Sequence, residues 1–412
     1  MESSILTPFM ELTLALAVII ALAKAAGYLS ARLHQPSVLG ELLVGVILGP
    51  SLINFINWPI FTSGHVTETI YQFSEIGVLL LMFVAGLELH LADLARNVKV
   101  SVLAGTMGVF VPVILGWGIG LLFDFGNIEA LFLGLTLGAT SVSISAQTLI
   151  ELKVLRSRVG LGLLGSAVFD DVLVILLLSV FLALVEGTGG LTSVLWVFLR
   201  MLLFFALSLG VGLWLLPLLT RRISRLPVSQ GILTLGIVVM LFYGLAAEVI
   251  GGMAAITGAF LAGLMFARSS EKERLERGFS AISYGLFVPV FFVNIGLTIN
   301  VRQLQVQDLW LLMVVTTLAV LGKIIGSGFG AFWGGFTSRE SLILGAGMVS
   351  RGEVGLILAS VGVANQFMSP SEFTVMVGMV LVTTLLTPPM LRYLINRPEK
   401  PAPPEAVKSE GA

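Results

Sequence analysis

Thirteen long apolar stretches limit more than any other feature what this chain can fold into. Each holds about 20 mostly apolar residues, the length that an α-helix needs to cross the hydrocarbon core of a bilayer. They are predicted near residues 10–33, 38–57, 69–90, 98–123, 127–149, 157–186, 191–219, 229–249, 252–268, 280–300, 308–335, 340–362 and 372–394. Charged residues make up only 11% of the chain, against about 25% in a soluble domain. The predicted fold class is therefore an all-α polytopic membrane protein with 13 transmembrane helices, whose exterior is covered mostly by the lipid bilayer.

Basic residues fall almost entirely in alternate loops between these helices. One side of the membrane holds Arg32, Arg96, Lys99, Lys153, Arg156, Arg158, Arg221, Arg222, Arg225, Arg268, Lys272, Arg274, Arg277, Arg339, Arg392, Arg397, Lys400 and Lys408. The opposite loops offer only Arg302. Because basic loops stay in the cytoplasm, we expect a bacterial inner-membrane protein with its N-terminus outside and its C-terminus inside.

Charge and composition exclude several classes of protein. The net charge of −1 gives no basic footprint for nucleic acid. Cysteine is absent, so disulfides and thiolate metal sites are excluded. Residues 1–396 are expected to form one transmembrane domain, and the Pro-rich, charged segment 397–412 a disordered cytoplasmic tail. No cofactor is expected.

The fifth and twelfth predicted helices are both interrupted by small or polar residues. They are seven helices apart and therefore cross the membrane in opposite directions, as the two halves of an inverted repeat do. The interruptions are Gly138–Ser143 and Gly345–Glu353. Such paired breaks indicate a transporter binding site, although small residues also allow close helix packing. Arg351 and Glu353 could compensate the helix dipoles that end there, or form a structural ion pair.

Three ionisable residues are predicted at bilayer depth. Asp170 and Asp171 lie near the middle of the sixth helix, and Lys323 lies in the middle of the eleventh. Each such charge costs about 2.5–3.5 kcal/mol on insertion scales, so that each is a candidate functional residue. Adjacent carboxylates repel each other unless a proton or a cation neutralises one of them. A lysine at that depth keeps its charge only beside an acid, and spacing does not decide which aspartate this is. A structural polar network is the alternative reading.

Several short segments, taken together in this order and spacing, resemble one known family. They are Gln35-Pro36, Gly40-Glu41-Leu42, Gly45–Pro50, Phe83–Glu88, Ala139–Val142, Asp170-Asp171, Gly258–Gly263, Gly322-Lys323 and Arg351–Ile357. From about residue 30 to residue 394 the chain is similar to the NapA-type sodium/proton antiporters of the cation:proton antiporter superfamily.

The resemblance implies a fold, an assembly and roles for the membrane charges. It implies an inverted-repeat antiporter fold with two crossed, unwound helices. It implies a homodimer in which a dimerisation bundle supports a mobile core, about residues 98–186 and 308–394, and elevator-like alternating access. Asp171 would bind the transported ion, and Asp170 would pair with Lys323 in a coupling salt bridge. The Asp-Asp pair is similar to that of the electrogenic branch, and a role in pH homeostasis follows.

Na⁺ is a hard cation that takes oxygen ligands. The expected metal site is Asp171 with the Thr140 hydroxyl, carbonyls of the fifth-helix interruption and water, while Ser141 and Asn294 are weaker candidates. Hydroxyls on helices often bond only to their own backbone. Potassium-efflux relatives often have Gln where this chain has Asp170, which favours Na⁺ over K⁺ as the substrate. Exchange of Li⁺ or K⁺ stays open, and a K⁺/H⁺ antiporter is the alternative.

Other functional classes fit the residues less well. An intramembrane aspartyl protease needs its two aspartates on separate helices, and the surroundings of Lys323 do not form a phosphate-binding loop. An enzyme is therefore not expected. A sodium-coupled symporter of organic anions could share this helical architecture, and uptake of organic solutes would distinguish it.

Overall fold

The structure is a computed structural model that describes residues 7–61, 64–89, 96–186, 190–298, 300, 302, 306 and 308–396. Within these residues all regular secondary structure is helical. The predicted disordered tail, 397–412, lies outside the described residues.

The helices are named α1 to α17 in chain order. They are α1 (Pro8–Arg32), α2 (Ser37–Leu48), α3 (His65–Glu88), α4 (Val98–Leu122), α5 (Asn127–Gly138), α6 (Val142–Glu151), α7 (Arg158–Glu186), α8 (Gly190–Gly210), α9 (Leu216–Ile223), α10 (Gly231–Ala246), α11 (Ala255–Phe266), α12 (Lys272–Ile282), α13 (Val288–Leu297), α14 (Asp308–Gly334), α15 (Ser338–Gly347), α16 (Glu353–Ala364) and α17 (Pro370–Asn396). A 3₁₀ turn follows α2 at Phe55–Asn57. Single π-helical turns continue α8 into α9, extend α10, and join α12 to α13.

Ten helical segments of the described chain are long and apolar enough to cross a membrane. They are Pro8–Arg32, His65–Glu88, Val98–Leu122, Asn127–Glu151, Arg158–Leu182, Val194–Ile223, Gly231–Gly251, Lys272–Leu297, Asp308–Gly334 and Pro370–Asn396. Shorter apolar helices at Ser37–Leu48, Ala255–Phe266 and Val354–Val363 lie in three further predicted stretches. The all-α membrane architecture is confirmed, and the count of 13 spans stays a prediction.

Two boundaries differ from the sequence prediction. The helix expected at 280–300 begins earlier, at Lys272, because the amphipathic helix α12 runs without a break into the apolar segment. The charges at its start had indicated a loop. The helix expected at 38–57 ends at Leu48, since Gly49 before Pro50 is extended, with ψ 178°. A residue before proline is sterically pushed out of the helical region.

The helices pack in two groups. In the first group α4 contacts α5, α7 and α14, while α14 also contacts α15 and α17. In the second group α11 contacts α3 and α10, and α13 contacts α1, α2 and α3. The groups are connected through α8, which packs on α7 and on the π-helical turn after α10, and through contacts of α2 and α3 with α6 and of α2 with α17. The chain therefore contains two helical bodies that meet along a limited seam.

Helical conformation is interrupted between α5 and α6 and between α15 and α16, and the two interruptions bond to each other. The Ser141 N–H donates to the Ser350 carbonyl at 2.9 Å, and the Ser350 hydroxyl donates to the Ser141 carbonyl at 2.6 Å. The Ser145 hydroxyl donates to the Gly347 carbonyl at 2.5 Å. Backbone groups at membrane depth need protein partners, and here each break supplies partners for the other.

Close packing of α4 on α14 fixes the position of the membrane lysine. Gly326 lies three residues after Lys323, and a Cβ added to it would stand 2.5 Å from the Met107 carbonyl oxygen of α4. Only glycine leaves room for this approach of the two backbones. The contact therefore sets the distance between Lys323 on α14 and helices α5 and α7, which also pack on α4.

We predict that Gly326→Ala separates α4 from α14 and lowers stability by about 1–3 kcal/mol, the usual cost of overpacking. Thermal unfolding in detergent measures the effect. Gly118→Ala is the matched control, because Gly118 is an exposed residue of α4 with nothing near a new Cβ. That variant should melt at or slightly above the wild-type temperature, since alanine favours helix. Equal melting of Gly326→Ala and wild type would contradict the packing account.

Candidate functional site

The centre of the site is a fully buried ion pair between two helices. Lys323 of α14 places its Nζ 2.5 Å from Oδ1 of Asp170 on α7, and neither side chain is exposed. Oδ2 of Asp170 has no hydrogen-bond partner among the described residues. The structure thus brings together the lysine and the first aspartate of the pair. A buried pair of this kind is strongly destabilised when one partner is removed, because the other charge is then left uncompensated.

Asp171 points in a different direction from Asp170, as adjacent helical residues do at about 100° per residue. Its side chain is half-buried and lines a small cavity between α7 and α11. The Thr257 hydroxyl of α11 donates to Asp171 Oδ2 at 3.3 Å. The remaining lining side chains are apolar, namely Met82, Val142, Leu164, Ala167, Val168, Ile256 and Phe260. Of the two adjacent carboxylates, the second is therefore the one that borders the cavity.

The predicted oxygen ligands have different surroundings. Thr140 is buried in the first interruption, and its hydroxyl has no hydrogen-bond partner among the described residues. Ser141 places its hydroxyl 3.0 Å from that of Ser143. The Asn294 amide instead donates to the Ser74 hydroxyl at 3.2 Å, in the contact between α13 and α3. Of these candidates, Thr140 has a buried hydroxyl without a hydrogen-bond partner among the described residues, and Asn294 belongs to the second helix group. None of the three side chains is among the residues that line the Asp171 cavity.

Arg351 is completely buried in the second interruption. Its guanidinium donates to the carbonyls of Met348 and Val349 at 3.2 Å each, of Leu137 at 2.8 Å and of Ala319 at 3.3 Å. Leu137 lies in the last turn of α5, and Met348 and Val349 directly follow α15. The positive charge therefore meets the carbonyl ends of two helices, where the helix dipole is negative. The side chain of Glu353, the other predicted compensating charge, lies outside the described residues.

Three charged side chains lie around Lys323. Asp170, Asp171 and Arg351 are all close enough to Lys323 to interact with it electrostatically. Asp170 pairs with Lys323, and Arg351 compensates the C-terminal carbonyls of α5 and α15. An ionised Asp171 carries one negative charge, which a single proton or a single monovalent cation neutralises.

A sequence model described as "Sodium/hydrogen exchanger, transmembrane" matches residues 16–397, which is most of the chain. The chain belongs to the sodium/hydrogen exchanger family. This membership confirms the predicted place in the cation:proton antiporter superfamily, and the narrower NapA-type assignment stays a prediction.

Two relatives cover nearly the whole of this exchanger. The Na⁺/H⁺-K⁺ antiporter GerN of Bacillus cereus is 40% identical over 385 residues, which are 93% of this chain and 96% of GerN. The Na⁺/H⁺ antiporter of Enterococcus hirae is 35% identical over 372 residues, 90% of this chain and 94% of that protein. Both relatives are transporters, which confirms that the chain is a membrane antiporter and not an enzyme.

The fold has a counterpart among solved structures. The sodium proton antiporter MjNhaP1 from Methanocaldococcus jannaschii, solved at pH 8, matches with a TM-score of 0.67 over 94% of this chain and 98% of its own. Sequence identity is 18%, so that this likeness concerns the fold alone.

Sequence analysis missed several residues of the site. Thr257 contacts Asp171 from a short apolar helix whose sequence gives no sign of this contact. Ser350 and Ser145 join the two interruptions through their hydroxyls. The many small polar residues at both interruptions could have indicated that these serines form hydrogen bonds there. The contact of Thr257 depends on which helices pack together, and the sequence does not show this.

We predict that Arg351→Lys lowers the melting temperature by several degrees, because one ammonium cannot reach the carbonyls of three separate segments. Each buried carbonyl left without a donor costs about 1–3 kcal/mol. The control is Arg200→Lys: Arg200 is half-buried and donates to the Val249 and Ile250 carbonyls. Its replacement should cost less, and an Arg351→Lys protein that melts like wild type would refute the assigned role.

Proposed function

We propose that this exchanger carries Na⁺ across the membrane in one direction in return for protons in the other. The observation that carries the proposal is the pair of adjacent aspartates with two different environments. Asp170 is held by Lys323 in the protein interior, while Asp171 lines a cavity. The similarity to GerN, a Na⁺/H⁺-K⁺ antiporter, and to the Na⁺/H⁺ antiporter of Enterococcus hirae supports it.

Competition for one carboxylate explains the exchange. Na⁺ and H⁺ each neutralise Asp171, and the two cannot occupy it together. A bare carboxylate carried through lipid costs several kcal/mol, so that the loaded forms move and the empty one does not. Binding of a proton on one side therefore releases the cation there. The proposed Na⁺ ligands are Asp171, the Thr140 hydroxyl, the region of Ser141 and water.

The finer features of the proposal rest on the family resemblance and on the distribution of basic residues. We propose that all 13 predicted segments span the membrane and that the two interrupted helix pairs cross each other. The body containing α4–α7 and α14–α17 would be the mobile core, and the other body the dimerisation bundle of a homodimer. The core would move as an elevator in the inner membrane, with the C-terminus in the cytoplasm. The limited seam between the two helix groups supports such a movement.

A second proton carrier would make the exchange electrogenic. We propose that the Asp170–Lys323 pair opens when Asp170 takes up a proton, so that more protons than sodium ions move in each cycle. K⁺/H⁺ exchange is the second candidate function, and one observation favours keeping it: GerN is named for both Na⁺ and K⁺.

The proposal is tested by proton flux in proteoliposomes with imposed gradients of Na⁺, Li⁺ or K⁺. We expect Na⁺-driven proton movement in wild type and none in Asp171→Asn, because the amide neither ionises nor exchanges a proton. Glu248→Gln is the matched control, since it removes an exposed acid from another helix. Proton movement by Asp171→Asn at the wild-type rate would reject the site, and movement driven by K⁺ but not by Na⁺ would establish the second candidate.

Electrogenicity has its own test in currents recorded on solid-supported membranes. We predict that the double variant Asp170→Asn/Lys323→Gln still exchanges Na⁺ for H⁺ but moves less net charge per Na⁺ than wild type. Replacing both partners avoids leaving one buried charge uncompensated. An unchanged ratio of charge to Na⁺ would remove the pair from the coupling mechanism.

A further inference from the structure

Thr257 is a polar side chain of the Asp171 cavity to which neither the sequence nor the relatives give a role. It is 3% exposed and lies in the first turn of α11. Its hydroxyl donates to Asp171 Oδ2 at 3.3 Å. Asp171 and Thr257 are the two polar side chains among the residues that line this cavity.

The Thr257 hydroxyl has a different kind of hydrogen-bond acceptor from most buried threonine hydroxyls of the described chain. Thr136, Thr148 and Thr387 each donate to the carbonyl four residues earlier in their own helix. Thr257 is the third residue of its helix, where the carbonyl four positions back belongs to Met253, outside the helix. The Thr257 hydroxyl therefore donates its hydrogen bond to another helix across the cavity and not to the backbone of its own helix.

The spacing of the two oxygens suits a shared cation. Ligands about 2.4 Å from a cation of the size of Ca²⁺ or Na⁺, at roughly a right angle, lie about 3.4 Å apart. The Thr257 Oγ1 and Asp171 Oδ2 atoms are 3.3 Å apart. A hydroxyl has one donor and two acceptor positions and rotates to suit its partner. Thr257 can thus donate to the carboxylate before a cation arrives and direct a lone pair at the cation afterwards.

We infer that Thr257 is a ligand of the transported cation that helps to determine its affinity in one access state; the inference rests on the proposed function. Asp171 and Thr257 belong to different helix groups, because α7 packs with α4 while α11 packs with α3 and α10. A movement of one group against the other separates them. The threonine then contributes to the site on one side of the membrane and not on the other.

The lining of the cavity indicates which side this is. All the other α7 residues that line it, Leu164, Ala167 and Val168, precede Asp171 in the chain. They lie toward the end of α7 that begins at Arg158, in the basic loop predicted to be cytoplasmic. Thr257 therefore acts when the site faces the cytoplasm.

The test compares Thr257→Val with Thr257→Ser in inside-out membrane vesicles, where added Na⁺ meets the cytoplasmic face. Valine keeps the shape of threonine without the hydroxyl, and serine keeps the hydroxyl. We expect the KM for Na⁺ to rise about tenfold in Thr257→Val, the effect of losing one interaction with a charged group. The maximal rate should stay near that of wild type, and Thr257→Ser should restore the KM. In right-side-out vesicles the KM should not change.

Thr387→Val is the matched control, because Thr387 is also buried but bonds only to its own helix in the described structure. Its KM should equal that of wild type. An unchanged KM in Thr257→Val, a rise that serine does not reverse, or a fall in maximal rate alone would overturn the inference. If Thr257→Val inserts poorly, Thr257→Ala takes its place. The measurement is then the increase in melting temperature that added Na⁺ causes. This increase should be smaller than that of wild type in Thr257→Ala and should equal it in Thr257→Ser. A wild type without Na⁺-dependent proton movement would instead refute the proposed function itself.

Discussion

A charge inside a membrane has to be compensated by the protein, and this requirement organises the interior of the exchanger. Lys323 and Asp170 neutralise each other with no exposure to solvent. Arg351 compensates the carbonyl ends of two helices through three backbone hydrogen bonds and donates a fourth to Ala319 within α14. Removing one partner of such an arrangement costs about 3–5 kcal/mol. The close packing of α4 on α14 and the hydrogen bonds between the two interruptions hold these charged side chains in position.

In the proposed function, Asp171 is the acid that binds the proton or the cation. It lies beside the neutral pair, lines a cavity and receives one hydroxyl from the opposite helix group. In the proposed mechanism one monovalent charge neutralises it, so that Na⁺ and H⁺ compete for the same carboxylate. In the proposed mechanism, exchange therefore follows from electrostatics: the carrier moves when the carboxylate is neutral, whichever of the two ions neutralises it.

Particular residues show how far the sequence could predict this structure. The length of the apolar stretches indicated the helices, and the small and polar residues at 138–143 and 345–353 indicated where two of them are interrupted. The early start of α12 at Lys272 was not predictable from hydropathy, because a charged amphipathic turn looks like a loop. The two adjacent aspartates differ by one residue in their spacing to Lys323, which does not decide between them, so that the choice of Asp170 came from family resemblance. Thr257 was missed because its contact depends on helix packing, which periodicity does not reveal.

The central claim is that Na⁺ and H⁺ occupy one carboxylate in turn. Calorimetric titration of the detergent-solubilised protein with Na⁺, in two buffers of different ionisation enthalpy, measures how many protons leave for each Na⁺ that binds. The account predicts release of about one proton per Na⁺ at a pH where the site is protonated, falling toward zero as the pH rises. Saturable Na⁺ binding with no proton release at any pH would contradict it.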